Sequence, residues 1–443
     1  RAALASMELR ALASDHGVEL GLIGMGLLLR AGRPQQILDW AERTRAVALL
    51  TVEPPAPAEV REERAALAAV HTELVTARRE SGTEPAVLRA RERAIEQRIR
   101  RATWRRSAVG ARSAAAVAAR ALPPLLGGRA LVSYGRHGPE MFAVVRHAGR
   151  WQLHRLGEWA PVRFEADALL FALRRLTRPG SPRAIEATRA SAEHAIDRLA
   201  ELLIRPLGLE GSVPLVVVPA SETHRIPWAA LWPAPVTVAP SASLWARTTQ
   251  RAPETIAAGS GVVVVGGPGL PGAEREVAEV ARHHGDPLVM VPPHSTVDDV
   301  LAAMEKADLV HLACHGLLRA DNPTFSALEV SDGRLTVHEL DVRGVAPRRI
   351  VLAACDSAAD VAYAGDELLG FVGALLARGT AGIVASVVAV GDIEAVELMG
   401  GLHARLARGA SMADALHAAR AGIDRTDPRG FVNWCAFTAY GAG

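Results

Sequence analysis

A series of short, unbroken apolar runs in the second half of the chain constrains its fold more than any other feature. They lie at 213–219 (VPLVVVP), 261–266 (GVVVVG), 287–292 (PLVMVP), 307–314 (ADLVHLAC), 348–355 (RRIVLAAC) and 382–388 (GIVASVV). Each is the length of one strand and apolar on both faces. Such a strand needs cover on both faces, which a parallel sheet flanked by helices supplies. Amphipathic stretches separate most of the runs, notably 273–283 and 366–378. An α/β sandwich with a mostly parallel sheet is therefore expected. Just upstream, 130–157 holds three alternating runs bounded by glycine, predicted to pair as strands, and 164–178 and 184–207 follow as amphipathic helices.

Everything before Leu122-Pro123-Pro124 reads as helix. Residues 4–30 are apolar at helical spacing, AGRP at 31–34 is a turn, and 35–51 continue as a second helix. This pair has the form of the last unit of a tetratricopeptide-type array. One such unit cannot bury its own face, so partner repeats are expected upstream of Arg1. The linker EPPAPAE (53–59) then breaks the chain. Two charged helices at 60–79 and 85–106 flank the turn ESGTEP and read as an antiparallel hairpin, either a partner-binding arm or a solvated spacer. The expected divisions are thus 1–52, 60–122 and 127–443.

Lys and Arg total 50 against 48 for Asp and Glu, so no net field argues for nucleic acid or an anionic membrane. No apolar run approaches the ~18 residues of a membrane span. The three cysteines, Cys314, Cys355 and Cys435, fit no disulfide framework and suggest a reducing, cytoplasmic setting.

In open α/β sheets reactive groups gather beyond the carboxyl ends of the strands. Two runs end that way, LVHLAC at His315-Gly316 and IVLAA at Cys355-Asp356. A free thiol with a pKa near ~8.5 is mostly protonated at neutral pH, and an imidazole alongside takes that proton and later protonates the leaving amine. The peptide N–H groups of Gly316 and Cys355 are natural donors to the developing oxyanion. Either residue alone is more readily a core cysteine or a hydrogen-bonded histidine. Their joint placement at strand ends raises the pair.

HLACHG (311–316) followed by LAACDSA (352–358) resembles the CHAT domain, a bacterial relative of caspases and separase. The likeness continues through LVVVPASETHRIPWAALWP (215–233), VTVAPSASLW (236–245), GGPGLPGAEREV (266–277) and SALEVSDGRLTVHEL (326–340). It ends with GDELLGFVGALLARGTAGIVASV (365–387) and FVNWCAFTAYG (431–441), so that it spans 127–443. Tetratricopeptide repeats commonly precede this domain. The resemblance implies a caspase-like fold and a cysteine endopeptidase, with His315 as base and Cys355 as nucleophile. The family's LWxVxD segment stands here as Val387-Val388-Ala389-Val390-Gly391-Asp392, without its tryptophan but with its aspartate. By analogy with separase, that acid would bind a basic residue at P1, the position before the cleaved bond. Asp392 is the leading candidate, with Asp356 and Asp366 behind it. A protein activator acting through the N-terminal helices is also implied. The rival reading is a catalytically idle interaction scaffold.

Two other readings are set aside. Gly267-Pro-Gly269-Leu-Pro-Gly272 spells a dinucleotide fingerprint, but Pro268 and Pro271 remove N–H donors and no acid ends the next strand. His311, Cys314 and His315 suggest zinc, but Cys314 and His315 should point to opposite faces of a strand. No metal or cofactor is expected. Cys314, and Cys435 in a terminal strand, are read as core residues. His224, His338 and the other histidines are read as surface or structural.

Overall fold

The apolar runs become strands and the amphipathic stretches helices in the computed structural model of the chain. It describes residues 18–45, 51–52, 60–104, 112–113, 115–251, 261–317, 319, 322–353, 361–363 and 367–443. Helices α1 (Val18–Ala31) and α2 (Pro34–Thr44) come first, then the hairpin of α3 (Arg61–Ser81) and α4 (Ala86–Trp104). Three strands follow, β1 (Ala130–His137), β2 (Glu140–His147) and β3 (Arg150–Glu158), and then α5 (Trp159–Leu176) and α6 (Pro182–Leu203). Next are β4 (Leu215–Val218), β5 (Val236–Val238), α7 (Ala242–Arg251), β6 (Val262–Gly266), α8 (Ala273–Ala281), β7 (Leu288–Met290) and α9 (Val297–Met304). β8 (Leu309–Ala313) leads directly into β9 (His315–Leu317), β10 (Ala327–Glu329), β11 (Arg334–Thr336) and α10 (Val337–Arg343). The chain continues through β12 (Arg349–Leu352), β13 (Val361–Tyr363), β14 (Glu367–Leu369), α11 (Phe371–Arg378) and β15 (Gly382–Ser386). It closes with α12 (Asp392–Leu406), α13 (Met412–Arg420), α14 (Pro428–Ala436) and β16 (Phe437–Gly441).

One eleven-stranded sheet organises the molecule, in the order β3-β2-β1-β4-β5-β16-β15-β12-β8-β6-β7. Its pairs are parallel except where β2 meets its two neighbours and where β15 meets β16. Side chains alternate across it. Val263, Val265, Val310, Leu312, Ile350 and Leu352 face the core under α9, α10 and α11, while Val262, Val264, Leu309 and Val351 face α8, α12 and α13. This is the expected sandwich of caspase-like type.

The pair α1–α2 covers the sheet rather than standing free of it. Met25, Leu29, Ile37 and Leu38 are buried against Leu131, Phe142, Val144 and Val216. Trp40 lies on Gly24 and donates its indole N–H to the Gly21 carbonyl at 2.9 Å. Glu42 accepts from the amides of Ala242 and Ser243 at 3.0 and 2.7 Å, so a buried carboxylate caps α7. The helix expected over 35–51 ends at Thr44, and Thr51–Val52 pairs with Arg112–Ser113.

Two local expectations are corrected. The stretch 366–378 is not one helix, because Glu367–Leu369 pairs antiparallel with Val361–Tyr363 and helix begins only at Phe371. Cys435 belongs to a helix and not to the terminal strand. Asp427 caps that helix by accepting from Gly430 N at 2.6 Å with Pro428 at its first turn, and the strand starts at Phe437. Among the described residues no helix is long and apolar enough to cross a membrane.

Candidate active site

Strand alternation separates the two residues after β8 as expected. Cys314 is buried in the main core, and burial pushes its thiol up to about 12. His315 is half-buried and begins β9. Its Nε2 lies 3.4 Å from the Gly269 carbonyl oxygen. A carbonyl can only accept, so Nε2 carries the proton in this contact and Nδ1 of the neutral ring keeps the lone pair.

The glycines of the 267–272 loop have a structural use that the fingerprint reading missed. A Cβ on Gly267 would lie 2.8 Å from the Glu329 carbonyl oxygen and 3.0 Å from Cys314 Cα. Only glycine lets the loop press this closely on the strand that carries His315. Gly267 N donates to the Ala313 carbonyl at 2.8 Å, and Gly269, at φ +72°, turns its own carbonyl toward the imidazole. In front of the loop opens a cleft of about 490 Å³ lined by Pro268, Gly269, Glu274, Pro293 and Asp332 among others.

β12 runs parallel to β8, with Leu352 opposite Leu312, and Ala353 N donates to the Leu312 carbonyl at 3.0 Å. Cys355 and Asp356 come next and lie outside the described residues, as does Asp366. β15 neighbours β12 in the sheet. Asp392 begins α12 behind Gly391, the extended residue that occupies the cap position. Asp392 is thus a first-turn residue, and its side chain is outside what the structure describes. Gly316 sits in β9 opposite Leu328.

The charged hairpin is no solvated spacer. It is docked on the small sheet β9-β10-β11, with Phe325 packed among Leu67, Val70, Leu74, Ile95 and Ile99. Arg334 bonds Glu84 and Glu92, Arg319 grips Glu96 at 3.0 and 3.1 Å, Arg78 meets Glu329 at 2.8 Å, and Arg64 meets Glu339 at 2.6 Å. His71 Nε2 is 3.1 Å from Glu92. Burial alone would raise the pKa of Glu92, but His71 and Arg334 outweigh it and hold the carboxyl below its ordinary value. For Glu96 burial prevails and raises it. His71, Glu92 and Glu96 are close enough together to hold a metal ion. Two guanidinium groups already neutralise those carboxylates, so the donor set does not suit a cation.

Sequence reading also missed a row of imidazoles on the opposite face of the sheet, half-buried at His284 and buried at His403 and His311. His284 Nε2 lies 3.0 Å from His403 Nδ1, His403 Nε2 lies 3.1 Å from His311 Nδ1, and His311 Nε2 lies 3.0 Å from Glu276. Burial keeps His403 neutral by lowering its pKa well below 6.5. The row ties α8, α12 and β8 together. Its members come from three distant segments, so no spacing in the sequence could have announced it.

A sequence profile described as the CHAT domain matches residues 193–442. Curated protein sequences give no match. Among solved structures, two of the Saccharomyces cerevisiae separase–securin complex are similar, each with a TM-score of 0.53 at 9% identity. The matches cover 72% and 92% of this chain but only 30% and 36% of the separase chain. At that identity the likeness is one of fold. The Arg-specific cysteine proteinase gingipain R matches at 12% identity over 62% of this chain and 73% of its own, with a TM-score of 0.39.

Proposed function

Because the chain belongs to the CHAT domain family, we propose that it is a cysteine endopeptidase with His315 as general base and Cys355 as nucleophile. One observation carries the reading. Leu312 and Leu352 are partners in register on adjacent parallel strands, and His315 and Cys355 each follow three residues later. Two chains leaving one rung in the same direction would bring an imidazole and a thiol toward the same edge of the sheet.

The chemistry follows from the tautomer. With Nε2–H engaged by the Gly269 carbonyl, Nδ1 is the free base. It takes the Cys355 proton, the thiolate attacks the scissile carbonyl, and the imidazolium returns the proton to the departing amine. Peptide N–H groups of Gly316 and Cys355 receive the developing oxyanion. The cleft beside Gly269 offers room for an extended substrate. A carboxylate from Asp392 or Asp356 would select Arg or Lys at P1, since a guanidinium pairs with it in two parallel hydrogen bonds. The peptidase unit would run over 127–443, with the helical segments 1–52 and 60–122 receiving a protein activator.

Cleavage of a peptide library by wild type, Cys355→Ala and His315→Ala tests the dyad. Both variants are expected to lose turnover by at least ~10²-fold, the usual worth of a positioned acid–base group. Wild-type turnover in either would disprove the assignment, and no cleavage by the wild type with any activator would favour the idle scaffold. Fluorogenic peptides varied only at P1 test the pocket. An Arg preference that survives Asp392→Ala would clear Asp392 of the role.

A further inference from the structure

A single rung crosses the three-stranded sheet, with His315 opposite Glu329 on β10 and Glu329 opposite Arg334 on β11. Residues directly opposed on antiparallel strands point to one face, with their Cβ atoms about 5 Å apart. The next rung, Gly316-Leu328-Leu335, turns its leucines into the main core. His315, Glu329 and Arg334 therefore turn the other way, toward the hairpin. There Arg78 of α3 meets Glu329 at 2.8 Å, and Glu84 and Glu92 take Arg334. The Glu329 side chain is only 6% exposed, so its charge is felt little diminished by water.

We propose that Glu329 is a positioning residue for His315 and that the helical hairpin controls it through Arg78. This rests on His315 being the base. While the hairpin is docked, the guanidinium neutralises the carboxylate, and His315 keeps the neutral ring with its proton on Nε2 toward Gly269. When a partner shifts α3 enough to draw Arg78 off while Glu84 and Glu92 keep Arg334, Glu329 loses its guanidinium and is left as an anion on the rung of the imidazole. An anion there favours imidazolium and pulls the ring from the Gly269 carbonyl. The hairpin would thus set the protonation of the base from one side chain away, with no need to enter the cleft. Among the described residues, Arg334 lies on the same rung as His315, and Glu274 and Asp332 line the cleft beside Gly269, whose carbonyl the imidazole meets. Glu84 and Glu92 already engage Arg334.

Titration of the His315 imidazole by NMR in the full chain tests this whether or not peptide is cleaved, with His315→Gln supplying the assignment. Arg78→Met should raise the His315 pKa, by about one unit, because the unmasked carboxylate belongs to the residue directly opposite on the neighbouring strand. Glu329→Gln should move it the opposite way, and the double variant should return near wild type. Arg78→Lys should keep the wild-type value. Structural damage alone would not give opposite shifts that cancel. An unchanged His315 pKa in both single variants, with melting temperatures that confirm folding, overturns the proposal. If the shifts occur but the acid limb of the cleavage profile does not follow them, the positioning stands and the role of His315 as base fails.

Discussion

Acid should unfold this protein through His338, a residue remote from the proposed chemistry. It lies in the first turn of α10, 7% exposed, stacked on Phe325 with ring centroids 5.3 Å apart. Among the described residues its Nε2 has no hydrogen-bond partner. Burial lowers its pKa to about 4, with Arg64 adding to the shift and Glu339 opposing it. In the unfolded chain the ordinary value near ~6.5 returns. The folded pKa is depressed, so below pH 6.5 the unfolded state takes up a proton that the native state refuses. Stability is then lost progressively down to about pH 4. A shift from 6.5 to about 4 corresponds to about 3 kcal/mol, at a slope of up to ~1.4 kcal/mol per pH unit. That is a large part of the 5–15 kcal/mol typical of a folded domain. Urea denaturation of wild type and His338→Leu at pH 7.5, 6.5, 5.5 and 4.5, values chosen to bracket the window, measures it. Near-isosteric leucine should change stability at pH 7.5 by less than ~1.5 kcal/mol, since the ring nitrogen leaves no partner behind. The variant should flatten the acid slope by about one proton. Parallel pH curves for the two proteins would refute the argument.

Thiol reactivity should be equally lopsided. Burial raises Cys314 and Cys435 to about 12, so iodoacetamide at neutral pH should modify Cys355 first, as mass spectrometry of the labelled peptides would register. Labelling of Cys314 at the same rate would contradict its buried position. Gly267→Ala should cost about 1–3 kcal/mol in urea melts, because the new Cβ meets the Glu329 carbonyl at 2.8 Å with nowhere to go. The same variant should slow cleavage by displacing the strand under His315, and an unaltered melt would mean that the loop stands off more than 2.8 Å.

Most strands of the sheet were legible because their runs are apolar on both faces, as a buried parallel sheet requires; β7 is the exception, an edge strand that leaves Leu288 and Val289 exposed. Val262, Val264, Val351 and Val384 needed no other signal. The errors came where local preference and tertiary pairing disagree. Glu367-Leu368-Leu369 favours helix by residue type, yet it pairs with Val361–Tyr363. FVNWC has strand-forming residues, and Asp427-Pro428 just before it carried the helix-start signal that was passed over. The position of His315 was readable from its place after a strand. Glu329, Arg78 and the hairpin network were not, because charge pairs between residues about 250 positions apart leave no periodic trace. The alternating charges of α3 and α4 read as solvated faces when several of their acids are in fact buried.

The position of β16 has a consequence for synthesis of the chain on the ribosome. It is made after every other strand of this sheet, yet it stands mid-sheet between β5 and β15. Without it the sheet falls into two halves of five strands, β3-β2-β1-β4-β5 and β15-β12-β8-β6-β7, with no ladder hydrogen bond between them. Each half can pair and bury its own helices during translation. The half bearing β8, His315 and β12 can assemble, but its β15 edge stays open until Phe437–Gly441 emerges and docks Tyr440 opposite Ile383. An open edge is a hazard for aggregation, and its closure by a strand made after all its neighbours is a checkpoint built into chain order. A sheet whose middle strand is made after its neighbours cannot close until Phe437–Gly441 has cleared the ribosome.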